Sequence, residues 1–535
     1  MKKNFFYIAA LAVITAACTN DSLVTVPVNN GTDEGKMITE TITATNGDAP
    51  TRAAIADADG AFTWSAGDQV AVHASDGEYH TATLTSGEGT NDAKFTVTYS
   101  GTRDAFAVFP ASIVSASAAN YGQSGASLDV TLPSSYTLDQ VSGTTTPCPM
   151  IATNTGDSWS FSQLCGLLRL TINQIPADAT GLTLDFHGHK VHGDFSIASS
   201  VNPGTSTITT TADNTNDKIT ITDIGDVTSA IINIPLPTGD YTDISITPVG
   251  SSTKVSATRH IHRTAGIYNA QRAHAKALTT ALVSFQVGAS SYAIFAPGNL
   301  QATTADLGSN WTWSFANRQY DFVGNATANN KVNGNGTVSA NGSVDLFGWS
   351  TSATYFGISN AEPFDAYPGD FIDWGINIIG TYEANEWRTP IGGDGSEWTY
   401  LISTRANHDA KWGYATVAGV KGLIILPDNF TDPNKNGDSG AFVGNTTSWT
   451  SNVYTSGANW NAMEDAGAIF LPAAGYRTNN SVGNVDGHGS YLTSTAQTSQ
   501  IIYRLELYGI DFESFRPNNT AWRRDGQSVR LLRIL

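Results

Sequence analysis

Residues 79–100 read YHTATLTSGEGTNDAKFTVTYS. In the first half Ala82 and Leu84 alternate with threonines. In the second, Phe95, Val97 and Tyr99 do the same. A period of two puts the apolar side chains on one face of a pleated strand, the pattern of antiparallel strands with one wet side. The seven residues SGEGTND between the two runs are turn formers, so the pair predicts two neighbouring strands joined by a reversal. The same alternation recurs in ETITATN (40–46) and LDVTLPS (128–134). A second series follows in LLRLTI, GLTLDF, TSTITTTA (205–212), DKITITDI, AIINIPLP and DISITPV, ending at 249. Short strands at this spacing, punctuated by Gly and Pro, predict two consecutive β-sandwiches over 38–155 and 156–275. The segment AQRAHAKAL (270–278) lacks strand character and reads as a linker.

The 535 residues are 40% hydrophobic and only 14% charged, with a formal net charge of -19. That is enough apolar material for several cores, and the charge repels phosphate backbones, so nucleic acid is not an expected partner. Beyond about 280 the composition changes. Ten of the twelve tryptophans lie there, among long Gly/Asn/Asp-rich loops and short apolar pieces. This predicts a third, loop-rich α+β domain over 283–535, with EWTYLISTRA (397–406) as a short helix. The chain is therefore expected to be mostly β.

The first eighteen residues, MKKNFFYIAALAVITAAC, join two lysines to an apolar run too short to span a bilayer, then small residues and Cys18. This is the layout of an export signal of the lipoprotein kind, with Cys18 as the lipidated residue and 19–37 as a polar tether. Export permits a disulfide between Cys148 and Cys165. The apolar setting of Cys165 suits a small buried thiol equally well.

TRAAI (51–55), FTWSAGDQVAVHA (62–74), PMIATNTGDSWSFSQLCGLLRLTI (149–172) and HIHRTAGIYNA (260–270) occur in this order behind the signal. Residues 38–275 thereby resemble the fimbrillin family, pilins and pilus-like lipoproteins of Bacteroidales. The resemblance implies export to the outer membrane, then cleavage between Arg52 and Ala53. It further implies loss of the strand carrying TITATN (41–46), and filling of the groove by a strand from another pilin subunit. An opened sheet edge does expose unpaired N–H and C=O groups that an incoming strand satisfies. The bland alternative is that Arg52 is an ordinary surface residue.

EWRTPIGGDGSEWTYL (386–401), GVKGLIILP (419–427), GAIFLPAAGYR (467–477), GHGSYLTST (487–495) and RRDGQSVRLLR (523–533) make residues 283–535 similar to C-type-lectin-like domains. The relatives in question are the formylglycine-generating enzymes and bacterial major-paralogous domains. Those enzymes work through cysteines, and 283–535 contains none, so no enzyme is expected. In lectin-like folds the last strand, here QSVRLLRIL (527–535), pairs with the first, expected at ALVSFQVG (281–288). A terminal strand so engaged cannot be donated. The expectation is then a fimbrial tip subunit whose last domain is an adhesin for a glycan or protein on a surface. The alternative is an anchored surface lipoprotein that never joins a fibre.

Most of the ten late tryptophans are expected in the interior, among them Trp387 and Trp522. Two mixed loops offer ligand contacts: Glu362, Asp365, Tyr367, Asp370 and Trp374 in NAEPFDAYPGDFIDW, and Asn484, Asp486, His488 and Tyr491 in SVGNVDGHGSY. Their carboxylates and carbonyls also suit a weak calcium ion, although the usual lectin calcium tripeptides are missing. Otherwise they are solvated loops, and no cofactor is expected. His187, His189 and His192, with His260 and His262, are spaced for a metal but lack a full ligand set.

Overall fold

The computed structural model describes residues 37–46, 53–56, 61–115, 127–142, 148–154, 158–198, 206–261, 276–324, 331–359, 367, 369–433, 441–479, 481–509 and 515–535. They are mostly strand, with a few short helices. Cys18, Arg52, His262, Glu362 and Asp365 lie outside the described residues. Ala53 opens a short strand, Ala53–Ala56, that pairs with Ala61–Phe62.

The two runs quoted first form the strands Tyr79–Ser86 and Asp92–Ser100, antiparallel neighbours as their alternation requires. They belong to a seven-stranded sheet that closes on itself, in the order Met37–Asn46, Ser158–Gln163, Met150–Asn154, Arg103–Phe109, Gln69–Ala74, Tyr79–Ser86, Asp92–Ser100. The leading strand, Met37–Asn46, makes the closure. It runs antiparallel to Asp92–Ser100 along Met37–Thr45 and parallel to Ser158–Gln163 along Thr43–Asn46. Its Ile42 and Ala44 point into the barrel, where the Trp64 ring lies edge-on to Phe95, Phe109 and Phe161 at centroid distances of 5.0, 5.3 and 5.3 Å. On its wet side Thr39 and Thr41 hydrogen-bond to Thr98 and Thr96, and Glu40 pairs with Arg103.

The second unit packs two sheets face to face. One holds Ser229–Leu236, Gly166–Asn173 and Lys276–Ala281. The other runs Ala257–His260, Asp243–Val249, Gly181–Asp185, Lys218–Thr222 and Ser135–Thr137. Strand partners cross the expected boundary at 155 in both directions. Ser158–Gln163 stays in the barrel, Ser135–Thr137 joins the second unit, and Ser127–Leu132 pairs with Gly193–Ala198. The reason is burial. Leu128, Val130 and Leu132 share one core with Val108 and Ile151 of the barrel and with Phe195 and Ile197. The expected linker is corrected at its end. Lys276–Ala281 is a strand parallel to Gly166–Asn173, held by burial of Leu278, while 270–275 lies outside the described residues. The described part of TSTITTTA, 206–212, is not a strand; Ile208 packs in the core, and Thr209 and Ala212 make isolated bridges.

Cys148 and Cys165 are buried and unbonded. Burial pushes the Cys148 thiol up to about 12, so it stays protonated and unreactive. His187 hydrogen-bonds to Ser245 and packs on Tyr382, and His260 pairs with Asp243. No group suited to a metal ion occurs among the described residues.

In the third unit the last strand, Leu532–Ile534, pairs with Tyr292–Phe295, which in turn pairs with Phe285–Gln286. The expected partner, 281–288, is thus one strand further out. The correction has a simple cause: SYAIF carries the buried Ala293, Ile294 and Phe295 that a central strand needs, whereas ALVSFQVG is split, Ala281 ending the strand Lys276–Ala281 of the second unit and Phe285–Gln286 joining this sheet. The whole tail is fixed by backbone bonds, from Phe347 N–H to Gln527 C=O through to Leu535 N–H to Tyr292 C=O. Arg530, fully buried, donates to Asn299 Oδ1 and to the carbonyls of Ala296 and Phe470 at 2.9, 3.1 and 2.8 Å. The predicted helix runs over Glu397–Thr399 and continues as a wider turn through Thr404. The second and third units touch through Arg259 on Asp465 and His260 on the Ala316 carbonyl.

Candidate functional site

The strands His488–Ala496, Ile501–Tyr508 and Phe515–Trp522 form an antiparallel sheet. Along the middle strand, Leu505 and Leu507 face the core while Arg504, Glu506 and Tyr508 face outward. The third strand carries an irregularity, since Arg504 opposes Asn519 but Glu506 opposes Arg516. The extra residue falls at Pro517 and Asn518, and proline cannot continue a ladder. Both Arg516 and Asn519 are thereby placed beside Glu506.

This outward face is the floor of a cleft of about 810 Å³. Tyr476 and Asn484 wall one side, with Trp522, Arg524 and Asp525 completing the lining. At its centre the Glu506 carboxylate accepts hydrogen bonds from Arg504, from Asn519 and from His488 Nε2 at 3.0 Å. Burial pushes Glu506 up, but these donors and the arginine charge outweigh it and hold the carboxyl below its usual range. Asp525 goes the other way: burial raises it despite the nearby Arg524, Arg504 and Arg477. The His488 ring sits edge-on to Tyr476 and Tyr508, at 5.2 and 5.5 Å. Arg504 also donates to Ser490 Oγ at 3.1 Å. A carboxylate fully engaged by three donors is a fixture that orients arginine and histidine. It is not poised for proton transfer.

The residues expected from sequence divide accordingly. Asn484 and His488 line the cleft, and Asn484 donates to the Tyr476 hydroxyl at 3.4 Å. Asp486 turns away to Lys421, at 3.3 Å. Tyr491 is corrected to a core residue: fully buried, it donates to the Pro472 carbonyl at 2.9 Å. Tyr367 and Trp374 are likewise interior, the indole N–H of Trp374 donating to the Phe356 carbonyl at 2.9 Å. Asp370 is exposed and does not line the cleft. Of the ten late tryptophans seven are buried, Trp387 among them. Trp522, expected in the core, is instead 39% exposed at the mouth of the cleft. Its neighbour Ala521 takes the inward position, so strand alternation turns the indole out. Arg504, Glu506, Tyr508 and Arg516 were not singled out from sequence. The alternation in YRLELY (503–508) is the signal that marks Arg504, Glu506 and Tyr508 as one outward face, while Arg516 is brought beside them by the next strand.

No family model matches the chain, and no curated protein matches it. Among solved structures it is similar to a protein assigned to cell adhesion from Bacteroides ovatus, at 13% identity over 43% of this chain and 86% of that one, with a TM-score of 0.25. A second is the tip fimbrial protein Mfa3 from Porphyromonas gingivalis with C-terminal truncation: 14% identity, 43% and 83% coverage, TM-score 0.21. A third, from Bacteroides fragilis and also assigned to cell adhesion, gives 12% identity, 53% and 95% coverage and a TM-score of 0.23.

Proposed function

We propose that the protein is a fimbrial tip subunit that accepts a donor strand through its first unit and binds a surface ligand, such as a glycan, through the cleft of its third. The observation that carries this reading is an asymmetry of strand engagement. The leading strand closes the barrel between two neighbours, so its removal would leave two facing edges and an apolar trough lined by Trp64, Phe95 and Phe161. Residues 527–535, by contrast, are woven into their own unit and are unavailable to a neighbour. A subunit that receives a strand in its first unit but cannot lend this segment belongs at the end of a fibre. The precursor is exported as a lipoprotein, and cleavage after Arg52 frees the leading strand.

Immunogold labelling of fibres tests the placement, together with sequencing of the mature N-terminus. Label confined to fibre ends and a mature chain beginning at Ala53 are expected. Uniform label along the shaft overturns the tip assignment. A mature chain that always begins at Cys18 favours the anchored lipoprotein that never joins a fibre.

A further inference from the structure

Two observations about the cleft point to the chemistry of its ligand, and this step rests on the adhesin reading just given. The first is charge. The chain carries 47 acidic residues against 28 basic ones. Among the described residues that line the cleft, three arginines, Arg504, Arg516 and Arg524, stand against two carboxylates, Glu506 and Asp525. Of those two, Glu506 already spends its oxygens on Arg504, His488 and Asn519. An entering molecule therefore meets arginine donors, with Asp525 as the other carboxylate of the lining. Neutral sugars present hydroxyls that are best held by acceptors and donors together. A planar guanidinium is matched to a carboxylate or sulfate, which it grips with two parallel hydrogen bonds.

The second observation is aromatic exposure. Among the described residues the exposed large aromatics are Tyr508 and Trp522, at 37% and 39%, and both line this cleft. A flat apolar face beside a row of donors suits a pyranose ring that carries an acidic group. The cleft volume of about 810 Å³ is in the range of ordinary small-ligand sites.

We propose that the cleft bounded by Arg504, Arg516, Arg524, Tyr508 and Trp522 binds an acidic glycan, the sugar ring lying on an aromatic face and its carboxylate or sulfate ester meeting the arginines. The two anionic groups share one recognition chemistry, and the test separates them.

The full chain is titrated by calorimetry with a hexuronate-containing oligosaccharide, the same oligosaccharide with its carboxyls reduced to alcohols, a sulfated oligosaccharide, and an acidic peptide. Trp522→Ala and Arg516→Gln are compared with the parent; both positions are exposed, and unchanged melting temperatures verify the fold. At least one acidic oligosaccharide is expected to bind, and which one does assigns the carboxylate or the sulfate. Each substitution is expected to weaken that binding at least tenfold. For a carboxylate ligand, reduction is also expected to weaken it at least tenfold. Equal binding of the neutral oligosaccharide overturns the acidic preference and leaves the adhesin reading standing. Acidic-glycan binding indifferent to both substitutions overturns the site. Binding of the peptide alone, or of none of the four, overturns the proposal, while fibre-end labelling still decides the tip assignment.

Discussion

Release of the leading strand is the step on which polymerisation would depend, and Ile42 is the side chain that most restrains it. Ile42 is 1% exposed, in the same core as Trp64, Phe95 and Phe161. Ile42→Ala removes three carbons, worth about 0.8 kcal/mol each in transfer alone. The cavity left beside rigid rings adds to this, and isoleucine-to-alanine changes in cores typically cost about 2–5 kcal/mol. We take about 3 kcal/mol here. If that energy holds the strand in place, the strand-free population of a chain nicked after Arg52 rises by roughly 150-fold, at 1.36 kcal/mol per factor of ten. The assay is limited trypsin digestion followed by size-exclusion chromatography and mass measurement of the released segment. Thr39→Ala, on the exposed side of the same strand, is the control; it removes a surface hydroxyl pair with Thr98 and should change release only slightly. Equal release rates for Ile42→Ala and Thr39→Ala would refute the argument that barrel burial retains the strand.

Three further outcomes follow from the packing. His260 is buried, and although burial opposes its charge, Asp243 outweighs this and raises its pKa above the ordinary value. Its stabilising contribution is then complete below the unfolded histidine pKa of about 6.5 and is lost as pH rises through the higher folded value. The melting temperature should fall on going from pH 6 toward alkaline pH, and His260→Gln should flatten that fall in a calorimetric pH series. Arg530→Ala removes the donor from the carbonyls of Ala296 and Phe470 and from Asn299 Oδ1, each loss being worth about 1–3 kcal/mol when buried. Urea unfolding of the third unit should shift to lower concentration by an amount equivalent to at least about 3 kcal/mol. Gly375→Ala would set a Cβ 1.7 Å from the Trp387 carbonyl oxygen, so the backbone must move. A loss of about 1–3 kcal/mol is expected, read as a lower melting temperature.

What could be read in the chain before any coordinates were local. Alternation in 79–100 determined two antiparallel strands, because a two-residue period admits one pleated solution with a buried face. The crowded tryptophans marked a third unit, and glycine-rich turns beside EWTYL marked its short helix. Of the residues expected to contact a ligand, Asn484 and His488 line the cleft; Asn484 stands in the loop and His488 opens the strand after it. Tyr491, three residues beyond His488, has the same chemistry on paper but lies inside the core, and Trp522 has a core-like motif but lies outside. Tertiary structure decided such cases, because the face a side chain takes depends on where a strand begins and where Pro517 interrupts its ladder. Tertiary structure also decided that Met37–Asn46 closes a barrel and that Ser127–Leu132 and Ser135–Thr137 pair with strands on the far side of the expected boundary. Those pairings join residues tens of positions apart, and what selects them is the apolar surface buried when distant strands meet.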